Sequence, residues 1–285
     1  MMGYLFITLS AFFSISVAQI LKLVEIKSLR VLNVLVINYL IAVVVSALST
    51  DWSNIAEQKA FLPIILHSSF LGVLFIVNFL LYSKSIDKNG MGISITAMRM
   101  SLVFPILLSL WVYQEPFTLH LGIGILLTFV ALILLIPRSK KGEKVQLKYM
   151  LLPVFLFFIS GITDSGLKVF EQEFSIFFDE PKFLTALFFF AFLTGSVVLL
   201  ARKQFNFRKK EWAFGTILGI VNLYSSYFIL LALKEIPGSI TFPVVNLSIM
   251  FIGTLIGVWM WKDNPQKRQW IGLFVASIAI LLLVV

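Results

Sequence analysis

The chain has 285 residues, of which 59% are hydrophobic and 13% are charged, and its net charge is +9. A soluble domain of this length needs far more charged surface, so this composition indicates a membrane protein with several spans. The basic residues cluster in short gaps between apolar runs, which is typical of loops at a membrane surface and argues against a nucleic-acid partner. The chain lacks cysteine, and its two histidines, His67 and His120, stand alone, which excludes disulfides and disfavours a metal site.

Ten apolar runs are long enough to cross a hydrocarbon layer of about 30 Å. Lipid offers no partner to backbone N–H and C=O groups, so these runs are expected to be helices. The sequence therefore predicts an all-α, multi-pass protein of the cell (plasma or inner) membrane. The ten transmembrane helices are expected near 3–22, 31–49, 61–82, 90–112, 118–136, 148–168, 182–201, 212–233, 238–260 and 268–285.

The chain is predicted to contain two five-helix repeats, at 1–137 and 148–285, joined by a polar linker at 138–147. Because five helices precede the linker, the second repeat is expected to enter the membrane from the opposite face, which makes the repeats inverted. The loops after the odd-numbered helices carry 18 basic residues and the other loops carry 4. The first set is therefore expected to be cytoplasmic, which leaves both termini outside.

One stretch occurs twice and suggests the duplication directly. Residues 84–116 and 234–264 share one pattern: a basic residue, a glycine at the start of an apolar helix, an aromatic pair, and an acidic residue just after the helix. Glu115 and Asp263 close the two copies at an offset of 148 (263 − 115). Self-similarity at half the chain length is typical of transporters built from homologous halves. The two acidic residues are expected to cap a helix or tie loops together rather than touch a substrate.

Arg99 lies near the middle of the predicted fourth helix and is the only basic residue deep inside a span. Burying an arginine at that depth costs at least about 2.5 kcal/mol. Such a group needs an ion-pair partner, a hydrated cavity or a substrate anion. Two interpretations remain open, a structural ion pair between helices and a residue that lines a substrate cavity.

Asp164 is the only acidic residue well inside a span, and Lys168 follows it one helical turn later. Their i,i+4 spacing places both on one helix face, where Asp164 could simply neutralise Lys168. Asp164 could equally hold a substrate amine or carry a coupling proton or another ion. Lys168 corresponds to Lys22 in the first repeat, at an offset of 146 (168 − 22), which hints at a shared role. Snorkelling of both lysines to the membrane interface is the plainer interpretation.

Asn246 lies in the predicted ninth helix, three residues after Pro243, which frees a backbone carbonyl. Small and hydroxyl-bearing residues precede it, as they do in the fourth helix. Close helix packing explains this pattern simply, whereas a partly hydrated path between the halves is the functional alternative.

The sequence resembles the EamA-like members of the drug/metabolite transporter superfamily, which have ten helices in two five-helix repeats. The resemblance is carried by Gln114-Glu115-Pro116 followed by Gly122, and by Lys262-Asp263-Asn264 followed by Gly272. Lys22 and Lys168 match the lysine often found at the end of the first helix of each repeat. The chain departs from the family pattern at Gln114, where a glycine is usual. The resemblance implies a central path bordered by helices three, four, eight and nine.

The sequence bears on three classes of function. A secondary carrier for a small metabolite such as an amino acid, acting as an exporter without ATP, would use Arg99, Asp164, Asn246, Lys168 and Lys22 as substrate-binding residues. A membrane-embedded enzyme lacks support, since the sequence has no nucleophile–base pair, and no cofactor is expected. A lipid scramblase or a scaffold without transport activity is the remaining alternative. The expected partners are a small-molecule substrate and the lipid bilayer, in a monomer or a homodimer.

Overall fold

The computed structural model describes residues 2–52, 61–89, 91–135, 151–262 and 265–284. Helix makes up 87% of the described residues, which contain no strand, and this confirms the all-α membrane class. Eight described helices are long and apolar enough to cross a membrane. Two shorter apolar helical stretches occupy the predicted fourth and fifth spans: Ala97–Val112, which a turn interrupts at 101–102, and Leu119–Leu135. The predicted linker at 138–147 and Asp263 lie outside the described residues.

The helices follow the predicted spans in chain order. They are α1 (Met2–Ile26), α2 (Val31–Leu48), α3 (Phe61–Asn89), α4 (Met91–Met100), α5 (Val103–Leu107), α6 (Leu119–Leu135), α7 (Leu151–Val169), α8 (Glu180–Ala201), α9 (Lys209–Glu235), α10 (Gly238–Trp261) and α11 (Lys267–Val284). Short π-helical segments, Leu108–Val112 and Phe170–Phe174, extend α5 and α7. Helix α3 runs well past its predicted end at 82, because hydropathy marks the apolar part of a helix and not its last turn.

The predicted fourth span is broken rather than continuous. Helix α4 ends at Met100 and α5 begins at Val103. Pro105 has no N–H and therefore cannot donate to the carbonyl of Ser101. That carbonyl instead accepts a hydrogen bond of 3.0 Å from the N–H of Phe104, which tightens the turn. The prediction of one unbroken helix over 90–112 was wrong at this point.

The chain divides into two compact units that do not coincide with the sequence repeats. The first unit comprises Met1–Ala11, Asn78–Lys168 and Ala232–Val285. The second unit comprises Phe12–Val77 and Val169–Leu231. Each unit contains parts of both predicted repeats, so the boundaries at 137 and 148 stay a prediction.

In the first unit, α6 packs against α11 through small residues. A Cβ on Gly124 would lie 2.9 Å from the side chain of Leu283, and a Cβ on Gly272 would lie 2.9 Å from that of Leu134. Glycines at these two crossings let the helices approach closely, as is usual between membrane helices. At one end of the pair, the Gln269 amide donates to the Leu135 carbonyl at 3.1 Å.

In the second unit, a buried carboxylate joins the start of α2 to the start of α9. Glu211 is fully buried and accepts hydrogen bonds of 2.8 Å from both Nε and Nη2 of Arg30. The side chain of Asn33 donates at 2.8 Å to the carbonyl of Asn206 in the connection that precedes α9. The loops after the predicted first and seventh helices therefore meet at one end of this unit, in agreement with their shared charge pattern.

Gln114 and Lys262 give backbone support to the sequence duplication. Both residues follow the last helical turn of their copy and both adopt left-handed backbone conformations, with φ of 51° and 54°. Their offset is 148 (262 − 114), the same as that between Glu115 and Asp263. Left-handed φ favours glycine, which explains why the family pattern has glycine where this chain has Gln114.

Gly72 in α3 provides a test of helix packing in the second unit. A Cβ at this position would collide with the carbonyl of Leu187 and lie 2.9 Å from the backbone nitrogen of Ala191 in α8. We expect Gly72→Ala to lower the unfolding free energy by about 1–3 kcal/mol. The added Cβ meets backbone atoms of α8, which cannot move aside without shifting the whole helix. The measurement is unfolding by SDS titration in mixed micelles.

The matched control is Gly253 in the middle of α10, where an added Cβ would meet no atom within 4 Å. Gly253→Ala is expected to stabilise by up to about 1 kcal/mol, because alanine has the higher helix propensity. Equal effects of the two substitutions would contradict the α3–α8 contact.

Candidate functional site

Arg99 lies at the break in the predicted fourth span. It belongs to the last turn of α4, where the partial negative charge of the helix C-terminus favours a cation. Its side chain is half-buried in the first unit. Broken helices in membrane proteins typically occur where the backbone lines a cavity or a binding site. This break in the helix therefore places Arg99 at a position suited to a ligand.

Asn246 fixes the orientation of Arg99. Its Oδ1 accepts a hydrogen bond of 2.7 Å from Nη1 of Arg99. Its Nδ2 donates at 2.9 Å to the carbonyl of Phe242, one turn earlier in α10. Both polar atoms of the amide are thus engaged, so Asn246 holds the guanidinium in one place. The residues that the sequence grouped only through a family resemblance are in direct contact.

Asp164 completes the charged group in the first unit. It is half-buried on α7, and its charge acts electrostatically on Arg99. In the part of the chain that the structure describes, the two groups do not form a direct ion pair. One turn earlier on α7, the hydroxyl of Ser160 donates at 2.9 Å to Oδ1 of Asn78 on α3. The site thus draws on α4, α7 and α10, and Ser160 links α7 to α3.

The Nε of the Arg99 guanidinium has no partner within the described structure. Nη1 is occupied by Asn246, whereas Nε is buried and makes no hydrogen bond within the described structure. A buried donor without a partner is costly, about 1–3 kcal/mol for a neutral group and more for a charged one. Nε and Nη2 form the edge that binds a carboxylate in a bidentate manner. The arrangement suits an anionic group bound at that edge.

Lys168 has a different partner from the one that its sequence neighbours suggest. Its Nζ lies 3.0 Å from Oε1 of Glu115, and Lys168 itself is only 1% exposed. Its ammonium also lies 5.8 Å from the centre of the Tyr113 ring. Lys168 is therefore neutralised by Glu115 rather than by Asp164, and the prediction that it snorkels to the membrane interface was wrong. The i,i+4 rule failed here because a tertiary contact offers better geometry.

Glu115 also caps the N-terminus of α10. Its carboxylate accepts hydrogen bonds from the N–H groups of Gly238 at 2.8 Å and Ser239 at 2.9 Å, and from the Ser239 hydroxyl at 2.7 Å. These donors are among the orphan groups of a helix N-terminus, where negative charge is favoured. Glu115 thus ties the connection before α6 to α7 and α10. Sequence analysis assigned it a capping role but gave no signal for which helix it caps.

The capping arrangement gives stability a specific pH dependence. Burial of Glu115 disfavours its ionised form, but the hydrogen bonds from Ser239 and Gly238 and the charge of Lys168 outweigh this and lower its pKa below 4.5. A depressed pKa in the folded state means that its contribution is complete above the unfolded value and is lost as the pH falls through the folded one. We expect stability to fall below about pH 4.5, and this acid-sensitive part to vanish in Glu115→Gln. Melting temperatures of both proteins between pH 7 and pH 3 check this; parallel pH profiles would contradict it.

Four of the five predicted site residues lie in the first unit. One set contains Arg99, to which Asn246 is hydrogen-bonded and on which the charge of Asp164 acts. Lys168 lies apart from this set, in an ion pair with Glu115. Lys22 lies in the second unit, where it is half-buried, and its role stays a prediction.

Comparison with known proteins identifies the fold and a family match for the second half of the chain. The model of the EamA-like transporter family matches residues 149–285. An uncharacterized protein of Haemophilus influenzae is 25% identical over 280 residues, which cover 94% of this chain and 93% of the relative. A solved crystal structure aligns with this chain with a TM-score of 0.73, over 97% of this chain and 95% of the solved one. The two sequences are 14% identical, so this likeness shows the fold alone. Residues 149–285 therefore match the EamA-like transporter family.

Proposed function

We propose that the protein is a secondary transporter that exports a small zwitterionic metabolite, such as an amino acid, across the cell membrane. Arg99 binds the carboxylate through its Nε–Nη2 edge, and Asp164 binds the amine. The observation that carries this proposal is the Arg99 guanidinium, anchored by Asn246 and left with an unpartnered buried Nε. The negative charge of Asp164 acts on the same guanidinium without a direct ion pair, so the two side chains together offer the charges that a zwitterion needs.

The energy source in this proposal is a gradient. The sequence has no G-x-x-x-x-G-K-[ST] loop for ATP. Asp164 is the candidate for carrying a coupling proton, since it is the carboxylate of the group. The two repeats have opposite orientations in the membrane, and their rocking exposes the Arg99 site to one side at a time. The odd number of predicted helices before the linker supports this inversion.

The test is transport by the full chain in proteoliposomes. Three labelled compounds are compared: an amino acid with an apolar side chain, the amine that lacks its carboxylate, and the acid that lacks its amine. We expect counterflow for the zwitterion to exceed that of either analogue by at least about tenfold, because each lost charged contact is worth about 1.5–3 kcal/mol. Uptake into inside-out and right-side-out vesicles reports the direction. Equal rates for all three compounds would contradict a zwitterion site, and transport of labelled phospholipid alone would favour the scramblase alternative.

A further inference from the structure

The connection between α8 and α9 presents a concentrated positive surface in the second unit. Five basic residues fall within nine positions, and all five are exposed: Arg202, Lys203, Arg208, Lys209 and Lys210. Within the described residues, no acidic side chain pairs with them. This surface carries a strong positive charge at one end of the unit.

The single acidic residue of the segment does not offset this charge. Glu211 is fully buried and turned inward, where Arg30 binds both of its oxygens. Glu211 and Arg30 thus neutralise each other inside the unit, and Glu211 does not offset the five exposed positive charges. The sequence alone would have suggested partial neutralisation by Glu211.

Three aromatic rings lie beside the charges. Phe205 and Phe207 pack edge to face with ring centres 5.2 Å apart, and Phe207 contacts Trp212 at 5.9 Å. Phe205 and Trp212 remain about half exposed, at 53% and 43%. Exposed aromatic rings at the ends of apolar helices are typical of the headgroup level of a bilayer.

Internal contacts hold the connection in shape. The carbonyl of Asn206 accepts hydrogen bonds from Arg30 and, at 2.8 Å, from Asn33. The carboxylate of Glu211 accepts at 2.9 Å from the N–H of Arg208, which caps the start of α9. The surface is therefore preorganised, and binding a ligand requires little ordering of the loop.

We propose that this basic–aromatic surface, residues 202–212, binds the headgroup of an anionic phospholipid. Basic clusters next to a membrane helix attract anionic headgroups, and Arg and Lys suit the phosphate. The aromatic rings place the charges at the depth where headgroups lie. A soluble anion would satisfy the charges but not the exposed rings, so a lipid is the ligand that fits both. This assignment is independent of the substrate that the transporter carries.

The experiment measures lipid binding to the full chain by native mass spectrometry and by thermal stability in nanodiscs. The probe is phosphatidylglycerol, with phosphatidylcholine as the neutral comparison. The variant is Arg202→Gln/Lys209→Gln/Lys210→Gln, and the matched control removes three exposed charges elsewhere, Lys84→Gln/Lys234→Gln/Lys267→Gln. A second variant, Phe205→Ser, leaves every charge in place and tests the aromatic part.

We expect phosphatidylglycerol to bind the native protein more tightly than phosphatidylcholine and to raise its melting temperature. Each basic residue near an anionic surface contributes about a fivefold change in binding, so the triple variant should bind phosphatidylglycerol on the order of 100-fold more weakly. The control should change by less than about fivefold. Equal losses in the triple variant and the control, undiminished binding in the triple variant, or equal retention of both lipids would overturn the proposal. Unchanged binding in Phe205→Ser would overturn the aromatic part.

Discussion

Replacing Glu115 by glutamine is expected to lower the unfolding free energy by about 3 kcal/mol. The substitution leaves Lys168, which is 1% exposed, as a buried charge without its counterion. Removing one member of a buried pair typically costs about 3–5 kcal/mol, because the remaining charge is uncompensated. It also weakens the hydrogen bonds from Gly238 and Ser239 that cap α10. SDS titration in mixed micelles gives the free energies.

The double variant Glu115→Gln/Lys168→Met separates the charge effect from the loss of the cap. Methionine retains the apolar stem of lysine without a charge, so we expect the double variant to recover at least half of the lost stability. The matched control is Glu173→Gln, which changes an exposed carboxylate and should have an effect within about 0.5 kcal/mol. If Glu115→Gln were no more destabilising than Glu173→Gln, the cluster would not stabilise the first unit.

Replacing Arg99 by alanine is expected to lower zwitterion transport by about 100-fold or more. Truncation of a buried hydrogen-bonded charge in a binding site typically costs about 2–5 kcal/mol. Arg99→Lys should recover only a small part of the activity, because an ammonium offers no bidentate edge to a carboxylate. Asp164→Asn is expected to affect the amine analogue as strongly as the zwitterion. Counterflow rates in proteoliposomes give these values.

Folding of the Arg99 variants must be checked, because Asn246 loses the donor to its Oδ1. The melting temperature and the elution profile report this directly. Lys84→Gln, which removes an exposed positive charge outside the site, serves as the transport control. Native transport by a well-folded Arg99→Ala protein would exclude Arg99 from the substrate site.

The sequence predicted the helices well because hydrocarbon thickness imposes one strong rule. Each described apolar stretch became a helix, including the two shorter ones at the fourth and fifth spans. The rule does not cover the polar last turns of a helix, so the end of α3 was predicted at 82 although the helix continues to Asn89. The break after Met100 depends on Pro105, whose missing N–H interrupts the helix although its hydropathy fits an apolar span.

The polar contacts were harder to predict because they join residues far apart in the chain. Arg99 and Asn246 stood out as costly groups in apolar spans, and a family resemblance alone placed them near one path. The pair of Lys168 and Glu115 has no local sequence signal, and the i,i+4 spacing favoured Asp164 as the partner instead. Helix periodicity constrains which residues share a face, but not which helix lies opposite that face.

The most direct test of the central claim compares loss of the Arg99 side chain with loss of the substrate carboxylate. Dissociation constants are measured by scintillation proximity for native protein and Arg99→Ala, each with the zwitterion and with the amine that lacks the carboxylate. If Arg99 binds the carboxylate, the substitution weakens zwitterion binding by about 100-fold but changes binding of the amine by less than about threefold. Equal losses for both compounds would show that Arg99 acts on the fold and not on the substrate, and would contradict the proposed site.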